Sequence, residues 1–276
     1  MKTIQQVYTL KNGVKMPKVG FGTWQIPDGE VCFTAVSQAL KHGYRHIDTA
    51  AAYRNERSVG EAIRASGLKR EEVFVTSKLQ SHIKSYQETL DAFEKTLQEL
   101  NMTYLDLYLI HAPWPWNDMG KDCKAGNIQA YKAMEKLYRE GKIRTIGVSN
   151  FSPDDLDNIL KHCEIIPHVN QISFFIGNNQ QETHEYCDAK GILVEAYSPL
   201  AIGYALSNQT IQTMSQKYHV TPAQLCIRYC IDKGTAPLPK SIHESRIIEN
   251  TGLDFEIKKE DIEFLDTIKD DPRRWN

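Results

Sequence analysis

The chain has 276 residues, of which 41% are hydrophobic and 25% are charged, with a formal net charge of -2 at pH 7. This length fits one α/β barrel or two domains of ordinary size, and the weak charge excludes a global field that would attract nucleic acid or an anionic membrane. The N-terminal segment lacks a signal-peptide core, and no apolar run is long enough to span a bilayer. We therefore expect a cytoplasmic protein without a nucleic-acid or membrane partner.

The predicted elements begin with a hairpin at about residues 7–16, because Asn12-Gly13 favours the two positive φ angles of a tight turn. A short β-rich run, a polar connection and an amphipathic helix then recur along the chain. The helices include "GEVCFTAVSQALKHG", "ERSVGEAIRASG" and "YQETLDAFEKTLQEL". The predicted strands, in chain order, are "KVGFGTW", "YRHIDTA", "VFVTSKL", "YLDLYLIH", "IRTIGVSN", "HVNQIS", "LVEAYSP" and "APLPKS".

Local signals mark the ends of these helices. Ser152-Pro153 and Thr221-Pro222 each pair a capping side chain with proline at the first helical position. Four glycines stand where helices should stop, namely Gly43, Gly67, Gly141 and Gly191. Eight strand–helix alternations without a linker predict a single-domain α/β protein over residues 1–276, a (β/α)8 TIM barrel whose N-terminal hairpin closes the bottom. A doubly wound sheet is the alternative, but "GFGTWQ" lacks the third glycine of a dinucleotide-binding turn.

Polar side chains stand at the ends of seven of the eight predicted strands. The residues at or near the ends of all eight predicted strands are, in chain order, Trp24, Asp48, Lys78, His111, Ser149 with Asn150, Gln171, Tyr197 with Ser198, and Lys240 with Ser241. Taken singly, each has an ordinary explanation, such as a solvated lysine or a capping aspartate. The C-terminal ends of barrel strands meet at one rim, however, so the set predicts a catalytic site there.

The chemistry open to this set is narrow. The strand-end pattern places no second carboxylate beside Asp48, no GxSxG motif occurs, and His111 with Asp48 is too small a ligand set for a metal. What remains is the Tyr53 phenol next to the Lys78 ammonium, which Asp48 would hold in place. A neighbouring lysine favours the phenolate and so should bring the pKa of the tyrosine closer to neutral pH. His111 would orient a carbonyl oxygen.

Several stretches together resemble the aldo-keto reductase superfamily over nearly the whole chain. They are "GFGTW", "GYRHIDTAAAYRNE", "VTSKL", "DLYLIH", "IGVSNF", "VNQIS", "YSPL" and "PKSIHESRIIEN". The resemblance implies reduction of aldehydes, ketoaldehydes or small ketones, with hydride from NADPH and a proton from a lysine-tuned tyrosine. It assigns the catalytic roles to Asp48, Tyr53, Lys78 and His111, with Tyr53 as proton donor. The short C-terminus is similar to that of the bacterial and protozoan branch, which includes diketogluconate reductases and broad aldehyde reductases.

The resemblance also implies the cofactor contacts. Ser149, Asn150 and Gln171 match positions that hold the carboxamide, and Tyr197 matches the ring stacked on the nicotinamide. The remaining nucleotide contacts would come from Thr23, Ser198 and Leu200 and, in the segment at about 239–250, from Lys240, Ser241, Ile242, Arg246, Glu249 and Asn250. Two cations and a hydroxyl near a helix start suit the 2′-phosphate, so we expect NADPH to be preferred over NADH.

The substrate pocket departs from the family pattern. Gln80 and Ala112 stand where many members carry tryptophan, so the pocket is expected to be roomier or more polar near Gln80. Trp114 and Trp116 are expected to refill this space, in a pocket that also includes Trp24. The tail at about 268–276 is short, with Arg273 and Arg274 near its end. We expect a monomer acting on a small carbonyl substrate, with a dimer as the alternative. The competing function is a regulatory subunit of the same fold that senses nicotinamide nucleotide with little turnover.

Overall fold

The structure is a computed structural model that describes residues 2–269, and ten strands occur in this part of the chain. β1 (Val7–Thr9) and β2 (Lys15–Pro17) form an antiparallel hairpin. The other strands are parallel and neighbour one another in chain order: β3 (Phe21–Gly22), β4 (His46–Asp48), β5 (Phe74–Leu79), β6 (Leu105–Ile110), β7 (Ile143–Ser149), β8 (Val169–Ser173), β9 (Leu193–Tyr197) and β10 (Ala236–Leu238). The N–H groups of Gly20 and Gly22 donate to the carbonyl oxygens of Pro237 and Pro239 (3.0 and 3.1 Å), which joins the first barrel strand to the last.

Helices connect the strands and cover the outside of the barrel. Their bounds are α1 (Glu30–Lys41), α2 (Glu56–Ala65), α3 (Tyr86–Leu100), α4 (Lys124–Arg139), α5 (Pro153–His162), α6 (Gln181–Lys190), α7 (Gln209–Lys217), α8 (Pro222–Asp232), α9 (Glu244–Glu249) and α10 (Lys259–Asp266). The predicted caps are confirmed, because Ser152 and Thr221 each form a reciprocal capping box at the start of α5 and α8. The predicted (β/α)8 barrel is confirmed as well. Within residues 2–269, no helix is both long and apolar enough to cross a membrane.

The N-terminal hairpin closes the bottom of the barrel. Leu10 and Met16 are buried in one apolar cluster with strand residues that include Phe74, Leu107 and Val169. The predicted turn geometry is wrong in one respect, because only Gly13 has a positive φ (84°) and Asn12 does not. The connection is longer than a two-residue turn: Leu10 accepts from the Gly13 N–H and donates to the Val14 carbonyl oxygen (2.8 and 2.9 Å). A connection of this kind needs only one left-handed residue.

The inside of the barrel changes from apolar at the bottom to polar near the C-terminal rim. Inward-facing residues alternate along each strand, so the parallel register decides which of them meet. Asp48 of β4 lies opposite Thr76 of β5, and Gln171 of β8 lies opposite Glu195 of β9. All four side chains are buried. The register therefore brings several polar groups together just below the rim.

Candidate active site

A buried ion pair forms the base of the site. The Lys78 side chain has no exposed surface, and its Nζ donates to both carboxylate oxygens of Asp48 (2.7 and 2.8 Å) and to the Thr49 carbonyl oxygen (2.9 Å). Burial alone lowers the pKa of Lys78, but Asp48 and Tyr53 outweigh it and the pKa is raised. Lys78 is therefore a fixed ammonium at neutral pH, and its charge is balanced by the carboxylate that the sequence placed on the preceding strand.

Tyr53 stands above this pair on a short turn at residues 51–53. Its hydroxyl oxygen lies 3.4 Å from Lys78 Nζ, which donates to it, and Nζ also lies 4.9 Å from the centre of the ring. Part of the side chain is exposed, but the surroundings of the hydroxyl are buried, and this burial raises the pKa of Tyr53 to about 12. Lys78 acts in the expected direction and lowers the pKa, yet burial is the larger effect. The expected net shift toward neutral pH is thus wrong for the protein alone, and Tyr53 stays a protonated phenol.

His111 follows the end of β6 and faces the tyrosine. The two ring centres are 5.6 Å apart with an edge-to-face arrangement. Burial, together with the Lys78 ammonium, lowers the pKa of His111 to about 3, so the imidazole is neutral. Nδ1 is buried and has no hydrogen-bond partner within residues 2–269. A neutral imidazole carries one N–H, which it can donate to a carbonyl oxygen without adding charge to the site.

Gln171 links the ion pair to a second carboxylate. Its Nε2 donates to Asp48 Oδ2 (2.9 Å) and, over a short distance, to Glu195 Oε2. The expectation that no other carboxylate lies beside Asp48 is therefore wrong. Glu195 escaped notice because it does not end a strand. It precedes Tyr197 by two residues in "LVEAYSP", and that period-two spacing was the available signal that both side chains face the barrel interior.

A residue that the sequence reasoning missed holds the loop that carries Tyr53. Asn55 is fully buried, and its Nδ2 donates to the carbonyl oxygens of Thr23 and Ile26 (2.9 and 3.0 Å). Its Oδ1 accepts from the Thr49 hydroxyl (2.8 Å). Three of its hydrogen-bonding positions are thus used to tie the β3 and β4 connections together. The available signal in the sequence was an asparagine two residues after Tyr53, in "YRNE", since asparagine side chains commonly hydrogen-bond to backbone groups of loops.

The polar ends of the neighbouring strands form one hydrogen-bonded chain beside the four catalytic candidates. Ser149 Oγ donates to the Gln171 carbonyl oxygen (2.9 Å), Asn150 Nδ2 donates to Ser149 Oγ (3.0 Å), and Tyr197 OH donates to Asn150 Oδ1 (2.8 Å). On the other side, Thr23 Oγ1 donates to the Asp48 carbonyl oxygen (3.0 Å). The predicted strand-end residues Ser149, Asn150, Gln171 and Tyr197 are therefore adjacent in space.

The segment at 239–250 contains two exposed cations. Within residues 2–269, neither Lys240 nor Arg246 makes an ion pair. Ser241 lies between them in sequence and accepts a hydrogen bond from the His243 N–H (3.0 Å). The expected help from a helix start is small, because α9 has only six residues and Glu244 in its first turn pairs with His42 (2.8 Å).

The other residues predicted in this segment differ in exposure. Ile242 is exposed, Glu249 is half-buried and Asn250 is buried. Earlier in the chain, Ser198 at the end of β9 has a positive φ of 53°, and Leu200 is half-buried. The cations fit a phosphate because neither is already neutralised by a carboxylate of the described chain.

Tryptophans line the mouth of the barrel. Trp24 and Trp116 are 45% and 44% exposed, and Trp116 packs edge-on against His111 with 5.8 Å between ring centres. Trp114 packs against Trp116 with 5.0 Å between ring centres. Gln80, two residues after Lys78, is half-buried. That the loop tryptophans fill the substrate pocket stays a prediction.

The placement of Ala112 in the pocket wall is wrong. This residue has no exposed surface, and its carbonyl oxygen accepts from Lys84 Nζ (2.8 Å), so it lies behind the wall. The predicted tail residues Arg273, Arg274 and Trp275 lie outside the described residues. Among residues 2–269, no group of three or more His, Cys, Asp or Glu side chains is arranged to hold a metal ion.

The sequence pattern of the Aldo/keto reductase family matches residues 18–270. The chain belongs to this family. Aldo-keto reductases are oxidoreductases that act on carbonyl groups with a nicotinamide cofactor, and this chain is one of them.

Individual aldo-keto reductases resemble the chain along nearly its full length. Glyoxal reductase of Bacillus subtilis is 44% identical over 272 residues, which cover 98% of this chain and 95% of the relative. The 9,11-endoperoxide prostaglandin H2 reductase of Trypanosoma cruzi is 42% identical over 269 residues, covering 96% and 92%. A crystal structure of a Bombyx mori aldo-keto reductase in complex with NADP has a TM-score of 0.87 and 32% identity, covering 98% of this chain and 96% of that one.

Proposed function

We propose that this aldo-keto reductase uses NADPH to reduce aldehydes, ketoaldehydes or small ketones to alcohols. The observation that carries the proposal is the group of Asp48, Tyr53, Lys78 and His111, in which a buried ammonium touches both a carboxylate and a phenol. The relatives named for glyoxal and for a prostaglandin endoperoxide support reductive chemistry on small oxygenated compounds. All four residues come from one chain, which supports a catalytically complete monomer.

The proposed roles follow from the charge of each group. NADPH supplies the hydride when it is bound. The neutral His111 donates its N–H to the carbonyl oxygen and orients it, and Tyr53 then donates its phenolic proton to the same oxygen. The resulting phenolate lies 3.4 Å from Lys78 Nζ, whose positive charge stabilises it. Asp48 holds the ammonium in place, and its own negative charge acts in the opposite direction to Lys78 by raising the pKa of Tyr53.

The proposed cofactor contacts come from the strand ends. Ser149, Asn150 and Gln171 would hold the carboxamide and Tyr197 would stack on the nicotinamide. Gln171 Nε2 already donates to the carboxyl groups of Asp48 and Glu195. The side-chain oxygen Oε1 of Gln171 is therefore the atom that would accept from the carboxamide. The remaining nucleotide contacts would come from Thr23, Ser198, Leu200, Lys240, Ser241, Ile242, Arg246, Glu249 and Asn250.

The preference for NADPH should depend on the two free cations. Replacing Lys240 or Arg246 with alanine is expected to lower kcat/KM for NADPH by about 10- to 100-fold, since each loses a charge-assisted bond to the 2′-phosphate. The value for NADH should stay within about twofold. Lys259→Ala is the matched control, because Lys259 is 89% exposed and belongs to α10. An equal loss with both nucleotides would contradict the assignment of the 2′-phosphate site.

The substrate class can be tested with a panel of carbonyl compounds. Glyoxal, methylglyoxal, an aromatic aldehyde, an aldose and a keto acid would be compared by following NADPH oxidation. We expect turnover of the reactive aldehydes and ketoaldehydes, because the site supplies a proton donor and an oxygen-orienting imidazole, and the Lys78 ammonium is already paired with the Asp48 carboxylate. Tight NADPH binding without oxidation by any compound would instead support the nucleotide-sensing subunit.

A further inference from the structure

A second layer of buried polar groups lies beneath the Asp48–Lys78 pair. Glu195 on β9 has no exposed surface and stands directly opposite Gln171 on β8. The amide of Gln171 therefore bridges two carboxylates, with one N–H directed to Asp48 and the other to Glu195. None of the proposed catalytic or cofactor roles uses Glu195, although it is one hydrogen-bonded residue away from the ion pair.

The contacts of Glu195 are those of a neutral acid. Its Oε1 has no hydrogen-bond partner within residues 2–269, although His46 Nε2 lies 3.5 Å away. His46 Nε2 is instead paired with Thr76 Oγ1 (2.9 Å), and burial together with Lys78 lowers the pKa of His46 to about 3. The imidazole thus offers no positive charge. An ionised carboxylate with an unpaired buried oxygen would be costly, whereas a proton on that oxygen removes most of the cost.

The surrounding charges lead to the same conclusion. Burial, followed by the repulsion of Asp48, raises the pKa of Glu195 above its ordinary value, against the opposing effects of Gln171 and Lys78. The groups that face Glu195 are His46 and Asp48 from β4 and Lys78 from β5, while β10 places only Ala236 opposite it. With Glu195 neutral, the charges of Asp48 and Lys78 cancel inside the barrel.

We propose that Glu195 is a positioning residue of the reductase, which holds the Asp48 carboxylate against Lys78 through the Gln171 amide and sets the pH range in which Tyr53 donates its proton. This inference rests on the proposed function. When Glu195 is neutral, the charged groups that act on Tyr53 include the Lys78 ammonium and the Asp48 carboxylate. When Glu195 loses its proton at alkaline pH, the added negative charge makes the Tyr53 phenolate harder to form. Ionised Glu195 therefore keeps Tyr53 protonated to a higher pH.

Two variants separate the electrostatic role from the hydrogen-bonding role. Glu195→Gln keeps an oxygen for the Gln171 N–H but cannot ionise, so kcat at neutral pH should stay within about threefold of wild type. The alkaline limb of its kcat profile should move to lower pH by about one pH unit. The reason is that this variant lacks the negative charge that Glu195 acquires at alkaline pH and that keeps Tyr53 protonated. Glu195→Leu also removes the acceptor and should lower kcat about tenfold, with the KM for the carbonyl within about twofold.

A spectroscopic measurement tests the same idea without turnover. Burial raises the pKa of Glu56 to about 7, so infrared difference spectra are recorded on a Glu56→Gln background. Between about pH 6 and about pH 10 they should show the C=O stretch of a protonated carboxylic acid disappearing as Glu195 ionises. This signal should be absent from Glu195→Gln and present in the control Glu135→Gln. Glu135 is another buried glutamate, and its Oε1 accepts from the N–H groups of Glu164 and Ile165 after α5. Because this readout needs no substrate, it remains decisive even if the panel reveals no reductase activity.

The inference is overturned if the alkaline limb of Glu195→Gln coincides with that of wild type, or if the infrared band persists in that variant. A purely structural role would also overturn it. In that case both variants would lower the melting temperature while leaving the position of the alkaline limb unchanged.

Discussion

Tyr53→Phe is expected to lower kcat for carbonyl reduction by about 10²- to 10⁴-fold, the range that a positioned general acid contributes. The substitution removes only the hydroxyl. The phenyl ring can keep its edge-to-face contact with His111 and its contact with the Lys78 ammonium, so the pocket shape should persist. The affinity for NADPH, followed by quenching of tryptophan fluorescence, should therefore change by less than about threefold.

Tyr104→Phe provides the matched control for this substitution. Tyr104 packs beneath the Arg70 guanidinium, 4.2 Å from the ring centre, before β6 and away from the C-terminal rim. Its phenylalanine variant should keep wild-type kcat. Near-wild-type reduction by Tyr53→Phe with intact NADPH binding would show that another group donates the proton.

Asp48→Asn should be the most destabilising single change at the site. It leaves the Lys78 ammonium without exposed surface and without the carboxylate that it is bonded to, and breaking a buried pair in this way costs about 3–5 kcal/mol of unfolding free energy. Urea denaturation at neutral pH measures this loss. We expect kcat to fall as well, because the ammonium that stabilises the Tyr53 phenolate is no longer held.

The pH dependence of this variant should have the opposite sign to that of wild type. In wild type the pKa of Lys78 is higher in the folded protein than in the unfolded chain. The resulting stabilisation of the fold is fully present below the pKa of an ordinary lysine, and it is lost as the pH rises through the pKa of Lys78 in the folded protein. In Asp48→Asn, burial without the carboxylate should lower the pKa of Lys78. The unfolded chain then binds the extra proton, so stability should increase as the pH rises toward about 10.

A double variant distinguishes the cost of the buried charge from a packing defect. Asp48→Leu with Lys78→Met replaces the pair by apolar side chains and should recover much of the lost unfolding free energy without recovering activity. Equal urea midpoints for wild type and Asp48→Asn would show that the ion pair contributes no net stability. Failure of the double variant to recover would assign the loss to packing instead.

Local signals were sufficient for much of the fold. The capping boxes at Ser152 and Thr221, and glycines such as Gly43 at helix ends, each depend on only a few consecutive residues. They can therefore be predicted from the sequence. The hairpin was also predictable, but its exact turn was not. The number of residues in the connection depends on how Leu10 and Met16 enter the barrel, and Asn12 alone does not determine that.

In the candidate site too, features set by local sequence were predictable, whereas features set by tertiary contacts were not. The sequence by itself determined that Asp48, Lys78 and His111 stand at strand ends, because period-two patterns and their boundaries are local. Only the tertiary structure decided that Glu195 meets Asp48 through Gln171, since that contact depends on the register of strands far apart in the chain. It also decided that Tyr53 is a protonated phenol, because burial exceeds the effect of Lys78. Side-chain chemistry can be read from residue order, whereas distances and desolvation exist only once the barrel has closed.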